Sequence, residues 1–158
     1  MGKGQYLSEV LMRVPLLIKP PVAKFPGREE QAFVNLVDIA PTCLSVAGAE
    51  VPENMAGDDL SAFWTAPEAA CRREDVYTEA SGLRAVRTDR WKLVHYCGRE
   101  YGELYDLQAD PWEKTNLWDS PDAEAVAAKA DLTRRLADRM IALGARSTVP
   151  WNTGAPVI

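Results

Sequence analysis

A lysine between two glycines lies near the start of the chain, in the segment Gly2-Lys3-Gly4. Because glycine has no side chain, such a lysine can approach an anion closely, and its ammonium can neutralise an oxygen of a sulfate or phosphate group. The Gly-x-x-x-x-Gly-Lys-Ser/Thr phosphate loop is absent from the sequence. Without further context a solvated lysine is the simpler interpretation, so the role of Lys3 depends on the rest of the chain.

The other reactive residue types do not form a catalytic pattern. His95 is the only histidine, and a Ser-His-Asp or Cys-His system would have to use it. It follows Val94 in a strand-like run, and no Gly-x-Ser-x-Gly nucleophile motif is present. The carboxylate pairs Glu29-Glu30 and Asp58-Asp59 are typical of surface loops. A structural histidine is therefore favoured over a catalytic one.

Charge and cysteine content exclude several classes of protein. With 18 basic and 23 acidic residues the net charge is −5, so a non-specific nucleic-acid partner is not expected. No apolar run approaches the roughly 20 residues that span a bilayer, so no membrane partner is expected either. Cys43, Cys71 and Cys97 are an odd set without Cys-x-x-Cys spacing. Reduced thiols in a cytoplasmic environment are the simplest interpretation of this chain alone.

The centre of the chain predicts an antiparallel sheet. Runs rich in Val, Leu, Tyr and Trp are separated by turn residues, which favours neighbouring strands over Arg84–Arg87, Trp91–Tyr96 and Glu103–Leu107. Val76–Ala80 is a further strand candidate just before them.

A helix is predicted from Pro121 to Leu143, with Ser120 as its cap and Gly144 ending it. Four apolar side chains recur at helical spacing and form one face, which we expect to cover one side of the sheet; they are Leu132, Leu136, Met140 and Leu143.

The first third of the chain predicts elements of a different kind. The apolar run Val14–Ile18 is consistent with a buried strand, which Pro20 and Pro21 end. Asp38 is interpreted as the cap of a helix that Gly48 terminates. A short helix after Asp58-Asp59 would carry the apolar residues Leu60, Phe63 and Trp64.

Several blocks along the chain occur together in an order known from one family. They are Gly2-Lys3-Gly4 with Glu9 and Arg13–Leu16; Leu36–Thr42 with Ala47-Gly48 and Val51-Pro52; Gly57–Leu60; Ala85–Leu93; and Glu103–Leu107 with Asp110-Pro111, Glu113 and Asn116-Leu117. In this combination the chain resembles the C-terminal portion of sulfatases, arylsulfatase-like or choline-sulfatase-like members of the alkaline-phosphatase superfamily. The resemblance covers roughly residues 1 to 143.

The resemblance implies an α+β fold, in which a C-terminal helix packs on a small antiparallel sheet. A strand and a helix before them would belong, in the full family, to the large α/β domain. The implied boundaries are 1–65 for that remnant, 66–144 for the sheet-plus-helix subdomain and 145–158 for an extended tail.

The family hydrolyses sulfate esters with a formylglycine, made in a Cys/Ser-x-Pro-x-Arg motif, and with a calcium-like divalent metal. That motif is absent from this sequence, and the family's metal ligands would lie upstream. Only the sulfate-contacting lysine carries over, onto Lys3. The resemblance therefore implies a sulfatase fragment that is inactive alone, holds no cofactor itself and meets sulfate esters only in the full enzyme. Without the large domain, the Val14–Ile18 strand and the Asp38 helix would expose apolar surface, so we expect a homo-oligomer, formed by dimerisation or strand exchange. A structural or oligomerisation module, or a fragment of a phosphonate or phosphate ester hydrolase, remains as an alternative.

Overall fold

A four-stranded antiparallel sheet and one long helix dominate the structure, a computed structural model that describes residues 6–21, 27–70 and 72–147, with side chains only as far as residue 144. The strands follow each other in the order β1-β2-β3-β4. Their bounds are Val76–Ala80 (β1), Leu83–Arg87 (β2), Trp91–Tyr96 (β3) and Gly102–Asp106 (β4). The helices are Glu9–Met12 (α1), Ile39–Val46 (α2), Ala62–Thr65 (α3) and Ala123–Ser147 (α4), with short 3₁₀ turns at Leu36–Asp38 and Pro67–Ala69. The α+β prediction is confirmed.

The sheet is a simple meander, and its register places alternate side chains on two faces. Ala85 lies opposite Val94, and Val86 lies opposite Leu93. The β1–β2 turn requires Gly82, whose φ of 72° is in the left-handed region that favours glycine. All four strand candidates form, with bounds that differ from the predicted ones by at most one residue at either end.

The helix α4 covers one face of the sheet, as its apolar spacing predicts. Leu132 and Leu136 are buried against a sheet cluster that includes Val86, Leu93 and Leu104. Beyond Leu136 the apolar side of the helix is more exposed to solvent, and Met140 is 47% exposed. The hydrophobic effect on this face is therefore concentrated in the first two-thirds of the helix.

Both ends of α4 differ from the prediction. The carboxylate of Asp122 accepts hydrogen bonds from the backbone N–H of Glu124 (3.0 Å) and of Ala125 (3.1 Å), so Asp122 caps the helix and Ser120 does not. Asp and Ser are about equally good caps, so the sequence could not distinguish them. The helix also continues through Gly144 to Ser147, because an interior glycine costs only about 1 kcal/mol and does not by itself end a helix.

The predicted strand Val14–Ile18 is wrong. Residues 13–20 have no regular structure, and Leu17 is 90% exposed. A strand forms only where a neighbour completes its hydrogen bonds, and no strand of the described sheet lies beside this run. The helix after Asp38 does form as α2, and Gly48 follows its end with a φ of 72°. The short predicted helix is α3, which Leu60 precedes as a buried residue.

The second face of the sheet is covered by the segment Tyr6–Met12, which the sequence did not indicate. Leu7 is buried there against a cluster formed by Leu83, Ala85 and Val94. This segment therefore belongs with the sheet in space, although residues 13–75 separate it from β1 in the sequence. It is also the described segment that lies closest in sequence to Lys3.

Candidate functional site

Lys3, the residue with a predicted chemical role, lies outside the described residues, as do Cys71 and the tail from residue 148 onwards. The described segment nearest to it in the sequence is Tyr6–Met12. The candidate site is therefore built from the contacts that hold this segment on the sheet.

Glu9, the first residue of α1, is held through both its backbone and its side chain. Its backbone N–H donates to Oε2 of Glu113 at 2.7 Å. Its carboxylate accepts a hydrogen bond from Nε of Arg87 at 3.0 Å, and Oε1 lies 3.4 Å from Nζ of Lys92. These contacts join the N-terminal segment to β2, to β3 and to the loop after β4.

Lys92 completes this group, which we call the Glu9 cluster: Glu9, Arg87, Lys92 and Glu113. The side chain of Lys92 is only 2% exposed, and its Nζ lies 2.6 Å from Oε1 of Glu113. Burying an ion without a partner is very costly, so the pairing of two cations with two carboxylates is what makes this burial tolerable.

Glu113 has an unusual backbone in addition to its buried carboxylate. Its φ of 56° places a non-glycine residue in the left-handed region, which costs on the order of 1 kcal/mol. Asp110 supports the loop on both sides, because its backbone oxygen accepts from the N–H of Glu113 (3.1 Å) and its carboxylate accepts from the N–H of Thr115 (2.8 Å). The surrounding loop thus holds Glu113 where its carboxylate reaches both Glu9 and Lys92.

A second ionic group lies under α2 and consists of Asp38, Asp58 and Arg73. Asp38 is fully buried and accepts hydrogen bonds from the guanidinium of Arg73 (2.7 Å at Nη1) and from the backbone N–H of Asn35 and Asp58. Burial alone would raise the pKa of Asp38, but the hydrogen bonds from Arg73 and the two backbone groups outweigh it, and the pKa lies below its usual value.

Asp38 occupies the N-cap position of α2, as the sequence predicts, but its side chain does not do the capping. Its carboxylate makes no cap hydrogen bond to that helix, because it points to Arg73 and closes the preceding 3₁₀ turn at Asn35. The carboxylate of Asp38 thus joins three stretches that are distant in sequence.

The remaining candidates do not assemble a catalytic centre. His95 is exposed near the end of β3, where its register partners are Arg84 and Gly102. Cys43 and Cys97 are free and exposed. Among the residues that the structure describes, no group of three or more His, Cys, Asp or Glu side chains is placed to hold a metal ion. The donor set for a calcium-like ion therefore does not fit this part of the chain, where the buried carboxylates pair with Arg and Lys.

The comparisons with known proteins identify the family. Residues 3–141 match a family model described as "N-sulphoglucosamine sulphohydrolase, C-terminal". This chain belongs to that sulfatase C-terminal family. The sulfatase resemblance of the sequence blocks is thereby confirmed.

Individual relatives agree with this assignment, and the matches show what share of a whole sulfatase this chain covers. It is 32% identical over 128 residues to N-acetylglucosamine-6-O-sulfatase of Bacteroides thetaiotaomicron, covering 72% of this chain and 23% of that relative. A protein solved in complex with its substrate D-glucosamine-2-N,6-O-disulfate matches with a TM-score of 0.57 and 27% identity, over 70% of this chain and 24% of that one. The chain thus spans about a quarter of the length of these sulfatases.

A phosphonate monoester hydrolase from Silicibacter pomeroyi matches with a TM-score of 0.61 at 24% identity, over 80% of this chain and 28% of that one. At this identity the likeness shows a shared fold.

Sequence reasoning missed the Glu9 cluster, although its four residues lie in the blocks that carry the family resemblance. One signal was available: strand alternation puts Lys92 on the same face as Val94, so this lysine faces the interior if Val94 does. A buried lysine requires a carboxylate partner. The sequence could not say which carboxylates, because Glu9 and Glu113 are 104 residues apart.

Proposed function

We propose that this chain forms the C-terminal quarter of a sulfuric ester hydrolase and contributes Lys3 to the site that binds the sulfate group. The observation that carries the proposal is the family match over residues 3–141, combined with coverage of only 23% of the sulfatase relative. The nucleophile and the metal ligands would then come from an upstream part of the same polypeptide.

In this assignment a formylglycine and a divalent ion, both held by the upstream part, would supply the attack on sulfur. The ammonium of Lys3 has a separate task, which is to stabilise the negative charge on the sulfate oxygens as the ester bond breaks. Lysine suits this task because it is a compact point charge that makes no demand for planar geometry. The sheet and the Glu9 cluster hold the segment Tyr6–Met12, which follows this lysine in the sequence.

The 158-residue chain alone is expected to be inactive, because one lysine provides neither nucleophile nor metal. The measurement is turnover of 4-nitrophenyl sulfate and of glucosamine 6-sulfate by the purified chain with added calcium. We expect no release above the rate without protein. Turnover that survives further purification would show that the chain has its own catalytic centre and would reject the proposal.

Self-association of the isolated chain is a separate part of the proposal. Large apolar side chains are exposed in the segment before residue 19 and around α2; they are Val10, Leu11, Val14, Leu16, Leu17, Ile18, Leu36, Val37, Ile39 and Val46. An apolar surface of this extent is typical of an interface. In the whole enzyme the upstream part would cover it, and in the isolated chain a second copy would do so.

Light scattering at micromolar concentration is expected to show a dimer or larger species, and Leu17→Glu should shift it towards the monomer. Ile141→Glu is the matched control, because Ile141 is also exposed but lies on α4, and it should leave the mass unchanged. A clean monomer for the unaltered chain would contradict the proposal.

The alternative of a phosphonate or phosphate ester hydrolase has support from the fold alone, whereas the sulfate assignment has support from the family model and from sulfatase relatives. Sulfate esters are therefore the proposed substrates. Two expectations stay predictions, namely a reducing, cytoplasmic environment and the domain division at residues 65 and 144. No helix in the described ranges has the length and apolar character to cross a membrane.

A further inference from the structure

The Glu9 cluster is the most deeply buried set of charges on the face of the sheet opposite α4. Lys92 comes from β3 and Arg87 from β2, whereas Glu113 comes from the loop after β4. All three converge on Glu9, and none of the three is needed to explain why the strands pair. Their common effect is on the segment Tyr6–Met12.

Stability alone does not account for such a cluster. Replacing a buried ion pair by apolar side chains of similar volume is often neutral or stabilising, and the apolar contacts of Leu7 with Leu83 and Val94 already attach the segment to the sheet. The left-handed backbone of Glu113 adds a further cost. Hydrogen bonds to ionic groups are directional, whereas apolar contacts are not. A carboxylate therefore fixes the positions of the groups that donate to it.

The directional hydrogen bonds of the cluster are made to Glu9, the first residue of α1. The two oxygens of Glu113 are used separately: Oε2 accepts from the backbone N–H of Glu9, and Oε1 pairs with Nζ of Lys92. The side chain of Glu9 is held in turn by Arg87. Backbone and side chain of one residue are thus fixed against three parts of the sheet subdomain, which sets both the position of the segment and its rotation.

We infer that Glu9, Lys92 and Glu113 are positioning residues, which anchor the segment Tyr6–Met12 on the sheet and so define the point from which the chain reaches Lys3. The inference rests on the proposed function, in which Lys3 contacts the sulfate group. The buried Leu7 is the fourth residue after Lys3 in the sequence, a distance of at most about 14 Å in a fully extended chain. A fixed anchor therefore limits the space that the ammonium of Lys3 has to search.

Amide hydrogen exchange of the purified chain tests this without any enzyme assay. The probes are the N–H groups of Glu9, Leu11, Met12 and Arg13, which donate to Glu113, to Ser8 and to Glu9 itself. Two variants are compared, Glu113→Gln and the double variant Lys92→Met with Glu113→Met. The exposed Glu100→Gln is the matched control.

In both test variants we expect protection of these four amides to fall by at least about tenfold, while the amides of β3 stay protected. The double variant decides the matter if Glu113→Gln does not fold, since it leaves neither member of that pair unpaired. It also separates positioning from stability, because its resistance to urea should be close to that of the unaltered chain while the segment is loose.

Unchanged protection in the double variant would overturn the inference, because apolar side chains would then anchor the segment equally well. The role of Lys3 is read out separately, from the kinetics of a Lys3 variant in the whole enzyme. If amide protection falls in the cluster variants but the Lys3 variant turns over substrate normally, the sulfate contact is rejected and the anchoring of the segment stands. If amide protection is unchanged but the Lys3 variant is impaired, the positioning role is rejected and the proposed function stands.

Discussion

Replacing Lys3 by alanine, in the polypeptide that joins this chain to an upstream nucleophile, is expected to lower kcat for sulfate-ester hydrolysis by about 10²- to 10³-fold. That is the usual effect of removing one group that stabilises charge in a transition state. The value of KM should change much less, because the charge on the sulfate oxygens changes most as the ester bond breaks. Steady-state kinetics with a sulfate ester provide both constants.

Lys114→Ala is the matched control for this substitution. Lys114 is exposed on the surface, so its replacement removes the same charge from a side chain with no assigned role. We expect its kcat to stay within twofold of the unaltered enzyme. If Lys3→Ala also stays within twofold, the assignment of Lys3 to the sulfate site is wrong.

Asp38→Ala is expected to destabilise the chain by about 3–5 kcal/mol, the cost of breaking a buried ion pair by removing one of its members. Asp38 is fully buried, and its loss removes one of the two carboxylates that hold the guanidinium of Arg73. The backbone N–H groups of Asn35 and Asp58 also lose their acceptor. Urea denaturation at pH 7 measures the change, and Asp119→Ala, at an exposed position, should alter the free energy of unfolding by less than about 0.5 kcal/mol.

The stability difference between the unaltered chain and Asp38→Ala is expected to depend on pH. The pKa of Asp38 is lowered in the folded chain, so its charge stabilises the fold fully above the pKa of an unfolded aspartate, about 3.9. This contribution is lost as the pH falls from there through the lower folded pKa. The difference in unfolding free energy between the unaltered chain and Asp38→Ala should therefore shrink below about pH 4. A difference that grows in this range would contradict the direction of the pKa shift.

The parts of the fold that follow local rules could be predicted. Four strands were found from apolar runs bounded by turn residues, and α4 was found from the spacing of Leu132 and Leu136. Both signals are contained within a few residues, because a strand alternates with period two and a helix with period 3.6. The same locality explains why the caps of α4 were misplaced, since several residues near each end satisfy the same rule.

The parts that depend on distant partners could not be predicted. The run Val14–Ile18 has the composition of a buried strand, but composition does not provide a neighbour to pair with. Asp38 precedes a helix as a cap does, yet its carboxylate binds Arg73, 35 residues later. The contact between Glu9 and Glu113 is more distant still. In each case the deciding interaction is set by the tertiary fold, which no single window of sequence contains.

The most direct test compares sulfate-ester turnover by two proteins, the whole polypeptide with a Cys/Ser-x-Pro-x-Arg motif upstream of this chain, and the same upstream part alone. If the chain is the C-terminal quarter of a sulfatase that provides Lys3, turnover requires both parts, and mass spectrometry of the native product shows them in one polypeptide. Full turnover by the upstream part alone, or a folded whole polypeptide with no activity on any sulfate ester, would contradict the account.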